Sequence, residues 1–465
     1  MHNLINSETI CALSTPPGMG AIAVVRLSGT DAISVTARIF HPREKGFDLQ
    51  KAASHTIHLG NIGNESGILD EVLVSVFRSP HSYTGEDVVE ISCHGSPYIQ
   101  QYLIELILAE GVRLAKPGEF TLRGFLNGKF DLPQAEAVAD LIASHSRSSH
   151  DLAIRQMRGE FSRKIRELRE KLVQFTSLIE LELDFSEENV EFASRPELRT
   201  LLEDLNTEIS QLISSFSVGN VIKNGIPVAI IGKPNVGKST LLNVMLNEEK
   251  AIVAETPGTT RDAIEDTIVI GSYSFRFIDT AGLRASEDTI ENMGIGRTWE
   301  KIHDASIILY VFDATEDSFE VVNQAIAELK ENPEAQSKCI ILIGNKIDKV
   351  KKLPKGFADF VELETIFVSA KRKENIHLIA ESLLRFVRSG NLTGSAVVSN
   401  TRHIEALQHA QSAIDSIRQG LQNVISPDLL TADIRNALYH LGQITGEVTT
   451  DEILGSIFSR FCIGK

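Results

Sequence analysis

Several features that define other classes of protein are missing from this 465-residue sequence. No apolar run approaches the ~20 residues that a membrane-spanning helix requires, so we expect no membrane span. The N-terminal stretch lacks a basic start followed by apolar residues, which argues against a signal peptide. The four cysteines form no C-x-x-C pair, and the 13 histidines show no metal-ligand spacing. These absences predict a cytoplasmic protein with reduced thiols and with surface histidines such as His145, His150, His403 and His409.

Positive charge is also scarce, because 46 Lys and Arg residues stand against 62 Asp and Glu residues, a net charge of −16. A protein that binds nucleic acid through its own charge needs dense lysine and arginine. Any contact with RNA is therefore expected to come from a local patch or from a partner protein. The basic strip at residues 155–171 is one candidate, although an ordinary charged helix face explains it at least as well.

The hydrophobic pattern changes along the chain and predicts a multidomain protein. A strand-rich α/β domain comes first, followed by a helical segment, by an α/β domain of alternating strands and helices, and by a second helical segment. The simplest organisation is one discontinuous helical domain with the second α/β domain inserted between its two pieces, joined near Gly219 to Gly225. The predicted bounds are 1–125, 126–220, 221–389 and 390–465.

Two of these segments carry clear periodicities. Apolar residues from Phe161 to Ile179 recur every three or four positions, which predicts one face of a long helix. Ile404, Leu407 and Ile414 continue this spacing in the last segment. In the inserted domain, buried-strand runs alternate with helices, which favours a mainly parallel sheet.

The string GKPNVGKS at residues 232–239 fits the phosphate-binding pattern G-x-x-x-x-G-K-[ST]. Gly232 and Gly237 let backbone N–H groups curl around phosphates, while Lys238 reaches their outer oxygens. The hydroxyl of Ser239 can hold Mg²⁺. A strand run precedes the string and a helix run follows it, as a phosphate loop requires.

Three later strings identify the base, guanine, and the switch. DTAG at 279–282 places Asp279 near Mg²⁺, and SAK at 369–371 closes the base pocket. NKID at 345–348 supplies Asp348, whose carboxylate can accept hydrogen bonds from both N1–H and the exocyclic amine of guanine. The GTP-binding residues expected from these strings and from AETPGTT are Asn235, Val236, Gly237, Lys238, Ser239, Thr240, Ala254, Glu255, Thr256, Pro257, Gly258, Thr259, Thr260, Asp279, Thr280, Ala281, Gly282, Asn345, Lys346, Asp348, Ser369, Ala370 and Lys371.

In Ras-type sites a glutamine directly after DTAG orients the attacking water. Leu283 occupies that position here, and an apolar side chain cannot orient water, so catalysis must come from other residues. Asn235 is one source of catalysis, since its side-chain oxygen could ligate K⁺ beside the phosphates. The walls of this potassium pocket would be Ala254, Thr256 and Thr259.

An acidic switch segment supplies the second source of catalysis. We favour Glu291 over Glu287 and Asp288 for positioning water, although a solvated loop charge is the simpler explanation of any one of them. Thr260 is expected to complete the Mg²⁺ shell with Ser239.

Seven strings spread over nearly the full length carry a family resemblance. They are TICALSTPPGMGAIAVVRLSG, YTGEDVVEISCHGSP, KPGEFTLRGFLNGKFDLPQAEAVADLI, GKPNVGKSTLLN, AETPGTTRD, DTAGLR and FCIGK. Together they resemble the MnmE (TrmE) family, which is one of the TrmE-Era-EngA-YihA-Septin-like GTPases.

The resemblance implies a fold and an activity. Such proteins are homodimers paired through an N-terminal domain similar to tetrahydrofolate-binding domains, and a Ras-like P-loop GTPase domain is inserted in their helical domain. With the FAD-dependent partner MnmG, in a heterotetramer, they modify C5 of the wobble uridine in certain tRNAs. The product carries an aminomethyl or carboxymethylaminomethyl group. Potassium stimulates hydrolysis when two GTPase domains meet, and hydrolysis to GDP and phosphate drives a conformational change.

The one-carbon unit implied by the resemblance comes from 5-formyltetrahydrofolate or a related tetrahydrofolate. The folate site would involve Arg26, Glu90, Lys129 and the terminal Lys465. Without the family, Arg26 and Glu90 would be strand-face charges, and Lys129 would be a loop charge. Cys462 in the closing FCIGK is expected to be a small buried residue rather than a catalytic thiol.

Two other functions compete with this one. An Era-like GTPase that only binds RNA would carry a basic C-terminal module, but residues 390–465 contain 5 Lys and Arg against 7 Asp and Glu and no G-x-x-G loop. A folate-dependent aminomethyltransferase regulated by its GTPase domain merges with the first function if a partner supplies the redox chemistry.

Overall fold

The computed structural model of the chain describes most of its residues. They are 8–65, 67–184, 195–248, 266–278, 302–350, 356–357, 363–389, 397–423, 427–459, 461 and 463–464, without the side chains of 178–184, 195–198, 248, 389 and 427–429. The chain divides into two compact units, one of residues 1–139, 157–169 and 438–465, the other of residues 140–156 and 170–437. These two units are defined by compactness and do not test the predicted domain bounds, which stay a prediction.

A seven-stranded sheet dominates the first unit. Its order is β3-β4-β5-β6-β2-β1-β7, and all neighbours are antiparallel except β1 and β7. The strands are β1 (Ile10–Leu13), β2 (Ile22–Ser28), β3 (Phe40–Pro42), β4 (Thr56–Asn64), β5 (Gly67–Phe77), β6 (Val88–His94) and β7 (Arg113–Leu114). The helices among them are α1 (Ala32–Ile39), α2 (Pro97–Ala109) and α3 (Glu119–Leu126). The α/β prediction for this part is confirmed.

Four helices follow along the chain. They are α4 (Leu132–Ile142), α5 (Arg147–Met157), α6 (Glu160–Asp184) and α7 (Arg195–Asn224). The predicted apolar face lies on α6, where Phe161, Ile165, Leu168, Leu172 and Phe175 are buried. The side chain of Ile179, predicted on the same face, lies outside the described residues.

The second unit contains a six-stranded sheet of order β13-β12-β11-β8-β10-β9. All neighbours are parallel except β9 and β10, which confirms the mainly parallel sheet. The strands are β8 (Ile226–Ile231), β9 (Asp266–Ile270), β10 (Tyr273–Phe277), β11 (Ile307–Asp313), β12 (Cys339–Asn345) and β13 (Glu364–Phe367). The helices are α8 (Lys238–Glu248), α9 (Phe319–Glu331), α10 (Pro333–Gln336) and α11 (Ile376–Ser389). The antiparallel edge strand β9 was not foreseen.

Three further helices complete the described chain, namely α12 (Thr401–Gln422), α13 (Pro427–Thr445) and α14 (Asp451–Phe458). Helix α12 packs on α7, and its buried face includes Leu407 and Ile414 as predicted. His403 lies on the same face and is 2% exposed, so its placement on the surface was wrong. The period of three and four residues carries position 403 inward with 407 and 414.

The predicted joint at Gly219 to Gly225 is wrong for most of its length, because α7 continues to Asn224. A Cβ on Gly219 would lie 2.1 Å from the carbonyl oxygen of Val398. The glycine therefore permits close packing against the segment before α12. Among the described residues, no helix is long and apolar enough to cross a membrane.

Candidate nucleotide and folate sites

The phosphate loop has the backbone geometry that its sequence predicts. Gly232 and Gly237 adopt φ values of 147° and 95°, which L side chains rarely tolerate. A Cβ would lie 2.0 Å from the carbonyl oxygen of Val311 at the first glycine, and 2.4 Å from Nδ2 of Asn345 at the second. Both glycines are therefore required by close approach as well as by φ.

Lys238 begins helix α8, directly after the loop. Its Nζ donates to the carbonyl oxygens of Gly232 and Lys233, at 3.0 and 2.7 Å. The ammonium group is thus held over the loop, and the first N–H groups of α8 add the favourable end of a helix dipole for an anion.

Asn345, at the C-terminal end of β12, joins three of the nucleotide-binding strings. Its Nδ2 donates to the carbonyl oxygen of Val236 at 2.8 Å. Its Oδ1 accepts from the N–H groups of Lys346 at 2.8 Å and Ala370 at 3.0 Å. Because Asn345 is 3% exposed, one buried amide ties the phosphate loop, NKID and SAK together.

Asp348 of NKID is held in place by SAK. The hydroxyl of Ser369 donates to its Oδ1 at 2.7 Å. This hydrogen bond is the main reason why the pKa of Asp348 lies below its ordinary value. The carboxylate is therefore ionised at neutral pH and able to accept from the two guanine N–H groups, as the sequence predicts.

The remaining described residues of the predicted site differ in exposure. Asn235 is exposed and has a left-handed φ of 61°, Thr240 and Lys371 are exposed, and Ser239 is half-buried at the start of α8. Val236 instead belongs to the hydrophobic core. The oxygens of Asn235 and Ser239 are chemically suited to K⁺ and Mg²⁺ respectively.

The other predicted nucleotide and metal ligands lie outside the described residues. They are Ala254, Glu255, Thr256, Pro257, Gly258, Thr259, Thr260, Asp279, Thr280, Ala281, Gly282 and Glu291. Within the described ranges, no group of three or more His, Cys, Asp or Glu residues is placed to hold a metal ion.

Sequence reasoning missed a pair of aspartates beside the nucleotide strings. Asp313 Oδ2 lies 2.6 Å from Nζ of Lys346, and Asp317 Oδ1 lies 2.7 Å from Nζ of Lys233. The sequence offered one signal, an Asp at each end of the five residues 313–317 that end a buried-strand run. Aspartates are common at such positions, so this signal did not identify the pair.

Arg26 and Glu90, predicted to bind folate, form a cross-strand ion pair between β2 and β6. They are directly opposite in register, and Nη2 of Arg26 lies 2.7 Å from Oε1 of Glu90. The guanidinium also lies 5.6 Å from the ring centroid of Tyr83 and 5.7 Å from that of Phe120. A cation near two aromatic rings and paired with a carboxylate is chemically suited to a ligand that carries a charged group and a flat ring.

Gly464, the penultimate residue of the sequence, contacts the same arginine. Nη1 of Arg26 and the hydroxyl of Ser14 each donate to the carbonyl oxygen of Gly464, both at 3.3 Å. Gly464 has a φ of 95°, and a Cβ there would lie 2.3 Å from the carbonyl oxygen of Leu13. Gly464 therefore docks beside Arg26, while Cys462 and Lys465 lie outside the described residues.

Lys129 is exposed, and its Nζ donates to the carbonyl oxygen of Pro80 at 2.8 Å. None of the contacts described for Lys129 joins it to Arg26 or Glu90. The folate prediction for this residue thus stays a prediction.

The basic strip at residues 155–171 is partly neutralised by neighbouring carboxylates. Arg166 lies 3.2 Å from Asp131, and Lys171 lies 2.8 Å from Glu208. Arg169 also forms an ion pair, with Glu447. These contacts favour a charged helix face over a nucleic-acid surface.

Comparison with known proteins gives matches over nearly the whole chain. A family model described as the MnmE helical domain matches residues 132–462, and one described as the GTP-binding protein TrmE N-terminus matches residues 9–129.

Three relatives, each named tRNA modification GTPase MnmE, illustrate the similarity. The protein of Flavobacterium psychrophilum is 51% identical over 99% of this chain and 100% of its own length. Those of Cytophaga hutchinsonii and Bacteroides fragilis are 50% identical over 99% of this chain, and over 98% and 100% of their own lengths. A solved structure, the G domain of the T. maritima FeoB iron transporter, is 24% identical over 35% of this chain and 98% of its own, with a TM-score of 0.26.

Proposed function

The chain belongs to the MnmE family of tRNA modification GTPases, and from this premise we propose that it hydrolyses GTP during modification of C5 of the wobble uridine in certain tRNAs. The modification would introduce an aminomethyl or carboxymethylaminomethyl group. GTP hydrolysis to GDP and phosphate would drive a conformational change between steps.

The observation that carries the GTPase assignment is the position of Asn345. A single buried amide links the phosphate loop, the guanine-recognition string and SAK, so the groups for phosphate and base are held in one frame. Asp348 then selects guanine through its ionised carboxylate, and Lys238 meets the outer phosphate oxygens.

Metal ions belong to the same proposal. Mg²⁺ would be held by Ser239 and Thr260, and K⁺ by Asn235 with Ala254, Thr256 and Thr259. A monovalent cation beside the phosphates would neutralise charge that develops in the transition state. Asn235 supports this role, because it is exposed and lies in the phosphate loop itself. Glu291 is proposed to orient the attacking water.

GTP turnover in potassium and in sodium tests the cation site. We expect faster turnover in potassium for the unaltered protein and equal, slow turnover in both salts for Asn235→Ala. Lys349→Ala, at an exposed position outside the predicted GTP-binding residues, serves as the control and should keep the difference between salts. Equal rates in both salts for the unaltered protein would rule out the cation mechanism while leaving GTP hydrolysis in place.

The folate site is proposed at Arg26 and Glu90, with Lys129 and Lys465. A tetrahydrofolate bound there, such as 5-formyltetrahydrofolate, would supply the one-carbon unit. The ion pair with Glu90 orients the guanidinium of Arg26, and the carbonyl oxygen of Gly464, the residue before Lys465 in the sequence, accepts from this arginine.

A homodimer and the FAD-dependent MnmG are the proposed protein partners, with tRNA as substrate and the cytoplasm as location. Exposed apolar side chains on the outer face of the first sheet support pairing of two chains. Ile57, Leu59 and Leu73 are 66%, 40% and 45% exposed, and Leu59 lies opposite Leu73 in adjacent strands. An apolar sheet surface of this kind is typical of interfaces.

Nucleoside analysis of tRNA tests the whole proposal. A strain lacking this protein should lose the C5 substituent on the wobble uridine, and the intact gene should restore it. A variant carrying Lys238→Ala should fail to restore it. A nucleoside profile that is unchanged by the deletion would refute the tRNA function.

A further inference from the structure

A short acidic turn, Asp313–Asp317, follows β11. The N–H and hydroxyl groups of Thr315 donate to Oδ1 of Asp313, at 2.9 and 2.6 Å. The N–H of Asp313 donates to Oδ2 of Asp317 at 3.0 Å. One oxygen of each carboxylate is therefore held by the turn itself, which fixes the direction of the other oxygen.

Each of the remaining oxygens pairs with a lysine from a different nucleotide-binding string. Oδ2 of Asp313 lies 2.6 Å from Nζ of Lys346 in NKID, and the aspartate side chain is 5% exposed. Oδ1 of Asp317 lies 2.7 Å from Nζ of Lys233 in the phosphate loop, and this aspartate side chain is 9% exposed. Burial raises the pKa of Asp313, but hydrogen bonds from Lys346 and Thr315 outweigh it and leave the pKa below its ordinary value.

The two lysines lead directly to groups assigned to GTP. The carbonyl oxygen of Lys233 accepts from Nζ of Lys238 at 2.7 Å. The N–H of Lys346 donates to Oδ1 of Asn345 at 2.8 Å, and the N–H of Ala314 donates to the carbonyl oxygen of Asn345 at 2.9 Å. A displacement of the acidic turn would therefore disturb the phosphate side and the base side together.

We propose that the acidic turn positions the two halves of the GTP site relative to each other. Asp317 fixes the position of the phosphate loop through its ion pair with Lys233. Asp313 fixes the position of the guanine-recognition string through its ion pair with Lys346. Both aspartates are positioning residues, because neither is among the residues assigned to the nucleotide and each acts through a lysine, of which Lys346 is itself an assigned residue. This inference rests on the GTP site proposed above.

Steady-state kinetics of GTP hydrolysis tests the turn. Asp317→Asn should raise KM about threefold, since the lysine of its pair is half-exposed. Asp313→Asn should raise KM about tenfold or more, because its pair is more deeply buried. In both variants kcat should change by less than about twofold, since substrate binding and not the chemical step depends on the turn. Glu316→Gln removes an exposed carboxylate from the same turn and should behave like the unaltered protein.

A charge swap separates positioning from general damage to the fold. Lys233→Asp and Asp317→Lys should each raise KM, and the double variant should recover most of the loss. Absence of recovery, or unchanged KM in Asp317→Asn and Asp313→Asn, would overturn the inference. The GTP site itself would still stand if Asp348→Asn strongly weakened GTP binding, and it would fall separately if the unaltered protein hydrolysed no GTP.

Discussion

The proposed role of Asp348 is to select the base. Its carboxylate accepts from Ser369 through Oδ1, so the group is ionised and oriented before any nucleotide arrives. An amide in the same place keeps the acceptor for Ser369 but presents an N–H group to the base. That N–H opposes the exocyclic amine of guanine and complements the carbonyl oxygen that xanthine carries instead.

Asp348→Asn should therefore weaken GTP binding about a hundredfold, because the hydrogen bond to the exocyclic amine is replaced by two opposed donors and the bond from N1–H loses its charged acceptor. XTP binding should strengthen in the same variant. Competition of GTP and XTP against a fluorescent nucleotide measures both effects. The assignment of Asp348 would fail if the variant kept its preference for GTP, with Lys349→Ala as a control on the neighbouring exposed residue.

Glu119 illustrates a residue whose charge stabilises the first unit. Its carboxylate accepts from Nη2 of Arg113 at 2.6 Å, from the N–H of Lys116 at 2.8 Å and from Nη2 of Arg123 at 3.1 Å. Burial raises the pKa of Glu119, but these hydrogen bonds outweigh burial and lower it from 4.5 to about 2. Because the folded-state pKa is depressed, the stabilisation is present above pH 4.5 and is lost as the pH falls towards 2.

Glu119→Gln should remove about 3 kcal/mol of local stability at neutral pH, and this difference should shrink through that acidic range. Hydrogen exchange of the amides in α3 and β1 measures it in the relevant unit. Glu110→Gln, whose partner Arg38 is half-exposed, should have a much smaller effect. A difference between Glu119→Gln and the unaltered protein that did not depend on pH would contradict the role of the charge.

At the scale of elements, glycines within helices have opposite roles. Gly219 in α7 approaches the backbone of Val398, so packing forbids a side chain there. Gly455 in α14 has nothing within 4 Å of an added Cβ. Alanine is a better helix former than glycine by roughly 1 kcal/mol. Whether a Gly→Ala substitution stabilises or destabilises the helix is therefore decided by the surroundings of the added Cβ.

Gly219→Ala should destabilise α7 and the segment before α12, because the clash with a carbonyl oxygen outweighs the helix propensity. Gly455→Ala should stabilise α14 by about 0.5–1 kcal/mol. Hydrogen exchange of each helix, measured in the two variants and the unaltered protein, gives the two signs. Stabilisation by both substitutions would show that Gly219 is not a packing residue.

At the scale of the whole molecule, residues far apart in sequence meet at Arg26. Removal of Cys462 to Lys465 should therefore abolish folate binding and tRNA modification while leaving GTP binding intact. Calorimetry with 5-formyltetrahydrofolate, alongside nucleotide binding, measures the two activities. Gly464→Ala is a milder variant with the same expected direction, since its Cβ would clash with Leu13. Full folate binding by the shortened chain would refute a role for the tail.

Much of the organisation was predictable because it depends on local patterns. Alternation of buried strands with helices indicated the mainly parallel sheet, and a period of three and four residues indicated α6 and α12. The edge strand β9 was missed because five residues give only a weak strand pattern. Pairing with β10 places them in the sheet. His403 was misplaced because its polar side chain suggested the surface, although the helical period that buries Leu407 and Ile414 also turns position 403 inward.

The sequence alone determined the chemistry of the nucleotide strings, since spacing within a phosphate loop or NKID specifies both backbone shape and donor type. Only the tertiary structure decided that Asn345 joins three strings, that Asp313 and Asp317 hold Lys346 and Lys233, and that Gly464 meets Arg26. These contacts link positions far apart in the chain. Those in the nucleotide site form because the C-terminal ends of parallel strands lie at one edge of the sheet. Gly464 contacts Arg26 because its carbonyl oxygen accepts from Arg26 in β2 and from Ser14, directly after β1.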